Sequence, residues 1–204
     1  MPDFEEKVHP RYTALLVVDM QNDYCHPDGA LAGYGVNVSS AEDMLPEHSA
    51  LIEAARAAGA NVIFVRTTHN EWTESAARKA MPLFQGMSPC QAGSWGAEFF
   101  GVSPEPDDLI VTKHRYSSFV NTSLELSLRS LGIRTVIVTG TATNVCVDCT
   151  ARDAFQRDYF VVVTSDCTST SNAQLQKDTL ANLEFFYAEV AASEKITEAW
   201  TTVT

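Results

Sequence analysis

The sequence predicts a three-layer α/β/α fold on a doubly wound, mainly parallel sheet of five to six strands. Three observations carry that reading. Short β-branched and apolar runs recur without strict alternation, as in parallel strands buried on both faces. Segments with apolar residues at helical spacing stand between them. Glycines close several of those segments, notably Gly59 and Gly132. Alternation of this kind builds a parallel sheet with right-handed crossovers.

Residues 13–19 form a continuous apolar run ending in the carboxylate of Asp19, which predicts a central strand with Asp19 at its C-terminal end. Residues 21–38, with Pro27, Gly29, Gly33 and Gly35, read as a long loop that lines a site. Leu51, Ala55 and Ala58 place a helix over residues 45–58, with Pro46 in its first turn and Gly59 beyond its end. A second strand follows at residues 61–66. Residues 67–107 have no clear period, apart from a short helix over 74–80, and are predicted to be a lid, a pocket wall or a subunit contact. Residues 108–112 are a third strand leading into Lys113. Thr122 and Glu125 read as a capping box for a helix carrying Leu124, Leu128 and Leu131. The fourth strand is 135–139, followed by a helix over 147–156 with Val147, Ala151, Ala154 and Phe155 on one face. Residues 159–163 are the fifth strand, 172–187 the last long helix (Leu180, Leu183, Tyr187), and 188–191 a sixth strand at the edge.

The 204 residues are read as one domain, 1–204, with an ordinary 45% hydrophobic and 20% charged content. Fourteen Lys and Arg against 26 Asp and Glu leave a net charge of −12, which argues against nucleic acid and anionic membrane as partners. No apolar run approaches the ~18 residues of a membrane span. Residues 1–11 are polar and acidic, unlike a secretory signal. Five cysteines, an odd count, suit a reducing compartment. Cytoplasmic localisation is the resulting expectation.

The segment Gly140-Thr141-Ala142-Thr143-Asn144-Val145-Cys146 joins the fourth strand to its helix. Backbone N–H groups and the positive end of a helix dipole gather at such a junction and favour a thiolate. Taken alone, the segment equally suits a small buried residue in a turn. Asp19, Lys113 and Cys146 each fall at or just beyond a strand end, however, and in a parallel sheet those ends share one edge. Their chemistry is complementary. A thiolate attacks, an ammonium lowers its pKa, and a carboxylate takes the thiol proton and returns it to a leaving amine. Amides of the 142–146 turn can hold an oxyanion.

Two readings compete. Cys146-Val147-Asp148-Cys149 is a C-x-x-C at a helix start, as in thiol–disulfide oxidoreductases, but it follows the fourth strand of a large sheet rather than opening a small domain. Zinc binding lacks a second ligand pair, since His9, His26, His48, His69 and His114 are scattered.

Val17-Val18-Asp19-Met20-Gln21-Asn22-Asp23-Tyr24, then Lys113, then Gly140 to Val147 with Thr150-Ala151-Arg152-Asp153-Ala154-Phe155, resemble the isochorismatase-like cysteine hydrolases over nearly the whole chain. The resemblance implies a triad of Asp19, Lys113 and Cys146, adjacent strands for the Asp and the Cys, a cis peptide entering Ala142, and an oxyanion hole from the amides of Ala142 and Cys146. Lys113-His114-Arg115-Tyr116-Ser117-Ser118-Phe119 and Gly93-Ser94-Trp95 are more similar to ureidoacrylate amidohydrolases and biuret hydrolases. Nicotinamidases of the family carry an Asp-x-His metal motif where this chain has Thr67-Thr68-His69, so the resemblance implies neither metal nor cofactor. A catalytically silent family member is a further alternative, which the intact Asp, Lys and Cys disfavour. The implied substrate is a small ureido or amide compound, and the implied assembly a homodimer or homotetramer. Tyr24 and Trp72 are expected to wall the pocket by their position in the family. Arg115 and Tyr116, just after Lys113, are expected to meet a polar or anionic end of the substrate.

Overall fold

The structure, a computed structural model, describes residues 2–202. Its frame is a single six-stranded sheet: β1 (Thr13–Val18), β2 (Asn61–Thr67), β3 (Leu109–Lys113), β4 (Thr135–Thr141), β5 (Phe160–Ser169) and β6 (Glu189–Ala191). The strand order is β3-β2-β1-β4-β5-β6, and every neighbouring pair is parallel. The order reverses between β1 and β4. In an open α/β sheet that reversal leaves a crevice at the strands' C-terminal ends.

Every residue of β1 is buried, and alternate side chains serve opposite faces. Leu15 and Val17 join the core under helices α1 (Leu45–Ala58) and α5 (Ser193–Thr201), with Leu51, Phe64, Ile196 and Trp200. Ala14, Leu16 and Val18 join the opposite core under α2 (Leu124–Ser130), α3 (Asp148–Phe155) and α4 (Ala173–Phe186), with Leu128, Ala151 and Leu183. Each fully buried Leu or Val contributes roughly 1.5–3 kcal/mol, so the two half-cores hold the three layers together.

The bounds of α1 match the predicted helix, and Gly59 closes it in the left-handed region at φ 77°. Four elements depart from the sequence reading. The helix predicted from Val147 starts at Asp148, because residues Thr143–Val147 wind as a π turn in which the Val145 and Val147 amides both reach the Ala142 carbonyl. The capping box at Thr122 does not close: Thr122 accepts from the Leu124 amide, but Glu125 turns to Arg129 and Arg157. β5 runs on to Ser169 through a polar segment that periodicity could not show, resuming its pairing with β4 after a register shift. Helix α5 was not anticipated. It buries Ile196, Ala199 and Trp200, and the Trp200 Nε1 donates to the Val8 carbonyl at 2.7 Å. No helix among the described residues is long and apolar enough to cross a membrane.

One buried polar contact gives the fold a pH dependence. Thr139 Oγ1 donates to the Leu16 carbonyl at 2.9 Å, so the His48 Nε2 at 2.8 Å must be its donor. The His48 Nδ1 is then bare of a proton and has no partner among the described residues. Burial holds the His48 pKa at about 4, against an opposing pull from Asp166. Below the ordinary 6.5 the unfolded chain takes up that proton first, so stability falls as the pH drops from about 6.5 towards 4. The loss amounts to about 3 kcal/mol at the acid end. His69, also held at about 4, adds in the same direction. His48→Gln keeps the donor to Thr139 without the titration, and is expected to flatten the dependence of the urea midpoint on pH across this window. An unchanged slope contradicts the assignment.

Candidate active site

Asp19 follows β1 directly and adopts φ 52°, a left-handed turn that Asp tolerates better than branched residues. Its amide still bonds the Val65 carbonyl of β2 at 2.8 Å, which fixes the turn to the neighbouring strand. Across the β1–β4 pair, Val18 stands opposite Gly140. A Cβ there would lie 2.0 Å from the Val18 oxygen, and φ is +103°, so only glycine lets the two strand ends approach. The Thr141–Ala142 peptide is cis, as the resemblance implied.

Asp19, Lys113 and Cys146 meet at this crevice. Lys113 Nζ lies 2.7 Å from Asp19 Oδ2, with both side chains 1% exposed. It also donates to Thr67 Oγ1 at 2.8 Å, to the Arg115 carbonyl at 3.0 Å and to Cys146 Sγ at 3.5 Å, which accounts for its three N–H groups. Thr67, at the end of β2, in turn donates to Asp19 Oδ1 at 2.9 Å. Gln21 holds Thr67 in place through both backbone atoms, accepting from its N–H at 2.7 Å and donating to its carbonyl at 2.8 Å. Cys25 sits behind, its sulfur 3.9 Å from the Asp19 carbonyl.

The charge states differ from the sequence expectation in one respect. Burial pushes the Cys146 thiol above its ordinary 9.0, and the nearby Lys113 ammonium does not offset it. Thiolate stabilisation by a helix end does not prevail, because the sulfur sits in the π turn, almost out of water, and the Asp19 charge opposes the pull of the Lys113 ammonium. Burial alone would lower the Lys113 pKa, but the Asp19 charge beside it holds it above 10.5. The resting arrangement is therefore a carboxylate–ammonium pair beside a neutral thiol.

Asp19 and Cys146 form the floor of a cavity of about 520 Å³, together with Thr67, Thr141 and Ala142. Tyr24, Arg115 and Tyr116 line it, as expected. Trp72 does not: it is 86% exposed and stands away from the cavity, because its segment, residues 70–73, turns outward on Asn70 and Thr73. His69 and His114 were read only as unmatched histidines, yet both line the cavity. Asp23 was not singled out either, though it ties three loops together. It accepts from the Ala30 amide at 3.1 Å and the Cys90 amide at 2.6 Å, and Gly96 packs so closely that a Cβ would lie 2.0 Å from its carboxylate. All five cysteines are free thiols, and Cys167 lies in the α1–α5 core away from the cavity. Among the described residues no His, Cys, Asp or Glu cluster is arranged to hold a metal ion.

A model of the isochorismatase domain matches residues 13–195. The chain is 36% identical over 203 residues to the ureidoacrylate amidohydrolase RutB of Caulobacter vibrioides, covering 91% of this chain and 90% of that one. A cysteine hydrolase from Pseudomonas syringae pv. phaseolicola superposes with a TM-score of 0.88 at 31% identity, covering 97% of this chain and 96% of that one. N-carbamoylsarcosine amidase from Thermoplasma acidophilum superposes with a TM-score of 0.75 at 29% identity, covering 89% and 96% respectively. The fold and these relatives define a hydrolase built on a three-layer α/β/α frame, and this chain belongs to the isochorismatase family.

The ion pair itself can be tested apart from any reaction. Lys113→Met leaves the Asp19 carboxylate buried without a counter-charge and is expected to cost about 3–5 kcal/mol of unfolding free energy in urea. Adding Asp19→Asn should recover much of that loss. Equal destabilisation in the single and double variants contradicts the pairing.

Proposed function

We propose that this protein is an amidohydrolase that cleaves a C–N bond of a small ureido, carbamoyl or amide substrate through a Cys146 thioester. The observation that carries the reading is the meeting of Asp19, Lys113 and Cys146, of which Asp19 and Cys146 line the cavity and Lys113 lies buried behind them. Substrate binding excludes water and brings a carbonyl to the sulfur. Asp19 then takes the thiol proton, and Lys113 offsets the charge as the sulfur attacks. The Ala142 and Cys146 amides hold the oxyanion. Asp19 returns the proton to the departing nitrogen, the C–N bond breaks, and an acyl thioester remains. Asp19 next takes a proton from water, whose oxygen attacks the thioester; the C–S bond breaks, Asp19 passes that proton to the Cys146 sulfur, and acid or carbamate is released. Thr67 acts through its neighbours: by fixing Oδ1 of Asp19 it turns Oδ2 toward the ammonium and the sulfur.

The named activities of the ureidoacrylate amidohydrolase and N-carbamoylsarcosine amidase relatives support a ureido or carbamoyl head group. Arg115 and Tyr116 stand at the cavity edge to meet a polar or anionic end of it, and Tyr24 walls the site beside Asp19. A nicotinamidase-like metal site has less support, because Thr67 replaces the Asp of that motif and spends its hydroxyl on Asp19 and Lys113. The reading takes residues 1–204 as one domain acting without a cofactor, in a cytoplasmic homodimer or homotetramer. The free thiols accord with a reducing compartment.

Cys146→Ser, Cys146→Ala and Asp19→Asn are each expected to lower ammonia release by at least ~10³-fold, with the far-ultraviolet circular dichroism unchanged. Cys149→Ala should retain activity, which separates hydrolysis from thiol–disulfide exchange. Turnover near that of the unmodified enzyme in either Cys146 variant contradicts the covalent scheme.

A further inference from the structure

We infer that the substrate joins its scissile carbamoyl or amide group to an apolar body at least the size of an aromatic ring. This deepens the amidohydrolase reading and rests on it. The cavity of about 520 Å³ is in the range that encloses a ligand much larger than a bare ureido group. Asp19, Thr67 and Cys146 supply its reacting end, and Tyr24, His69, Arg78 and the His114-Arg115-Tyr116 segment are among its other polar residues. Leu31, Ala77, Met81, Leu83, Phe84 and Val145 line it as well, and the lining surface is mostly apolar. Met81 and Leu83 are 52% and 36% exposed, so apolar surface stands open toward the cavity and is stabilised only when an apolar group covers it.

The wall is braced by its neighbours, of which Arg78 itself borders the cavity. The Arg78 guanidinium sits 4.0 Å from the centre of the Phe84 ring and is fixed by an ion pair with Glu74 at 2.9 Å. Ser88 bonds the same Glu74 carboxylate. The Tyr34 hydroxyl lies within reach of the Gln85 carbonyl at 3.1 Å and the Pro82 carbonyl at 3.4 Å, latching the 82–84 turn to the loop after β1. His69 beside it is kept neutral by burial and the nearby Arg78, so it adds no charge beyond that of Arg78. The result is a preformed slot that accepts an apolar group while the reacting carbonyl rests on Cys146.

N-carbamoylglycine, N-carbamoylleucine and N-carbamoylphenylalanine share one head group and one carboxylate and differ only in the apolar body. Ammonia release is expected to give kcat/KM values that rise along the series, by at least about tenfold from glycine to phenylalanine. Phe84→Ala is expected to lower the phenylalanine-to-glycine ratio by at least about fivefold. Tyr34→Phe, which unlatches the wall without lining it, should lower the ratio in the same direction. A flat or falling series, or a Phe84→Ala variant that slows both compounds equally, overturns the inference. Hydrolysis of ureidoacrylate or biuret in the same assay would then leave the amidohydrolase reading standing. Failure to release ammonia from any of these compounds overturns both.

Discussion

The buried ion pair between Asp19 and Lys113 is the constraint on which the rest of the rim depends. Two charges removed from water each carry a cost of several kcal/mol, and their attraction offsets it only with close geometry and further hydrogen bonds. Here the contact is 2.7 Å, Thr67 donates to Oδ1 of Asp19, and the ammonium donates to Thr67, the Arg115 carbonyl and the Cys146 sulfur. The pair therefore dictates its surroundings. Thr67 must present its hydroxyl, and Gln21 must hold Thr67. Gly140 must lack a side chain so that β1 and β4 end side by side.

The same pair decides the state of the sulfur. A cysteine at a strand-to-helix junction is easily read as a thiolate, since helix ends and cations both favour one. In this site burial, with the Asp19 charge, outweighs the pull of the Lys113 ammonium 3.5 Å away. A neutral thiol beside a strong hydrogen-bond acceptor is a reagent held in reserve, with its proton movable over a short path once a substrate carbonyl arrives. Water is already largely excluded, so little reorganisation is needed at that moment.

Much of this was legible in the chain. Continuous β-branched runs marked the buried strands, and parallel pairing then placed Asp19, Lys113 and Cys146 on one edge before any contact was known. The bounds of α1 followed from Pro46, Gly59 and a clear apolar stripe. What escaped was whatever depends on tertiary packing rather than period. Thr67 looked like an ordinary strand end, and its bridging role exists only because β1 and β3 flank β2. Helix α5 was hidden because its stripe of Ile196, Ala199 and Trp200 is short and ends the chain. Residues 67–107 carried no periodic signal, so the sequence marked a pocket wall without saying which side chains form it. Trp72 was the conspicuous choice, while Met81, Leu83 and Phe84 line the cavity.

The most direct test of the central claim is a difference titration of thiolate absorbance at 240 nm between the protein and its Cys146→Ser variant. The account expects Cys146 to keep its proton past the ordinary cysteine value of 9.0, with no thiolate signal assigned to it at neutral pH. A Cys146 thiolate that forms below that value would show that the Lys113 charge outweighs burial and the Asp19 charge, and would contradict the arrangement of a neutral thiol beside the ion pair.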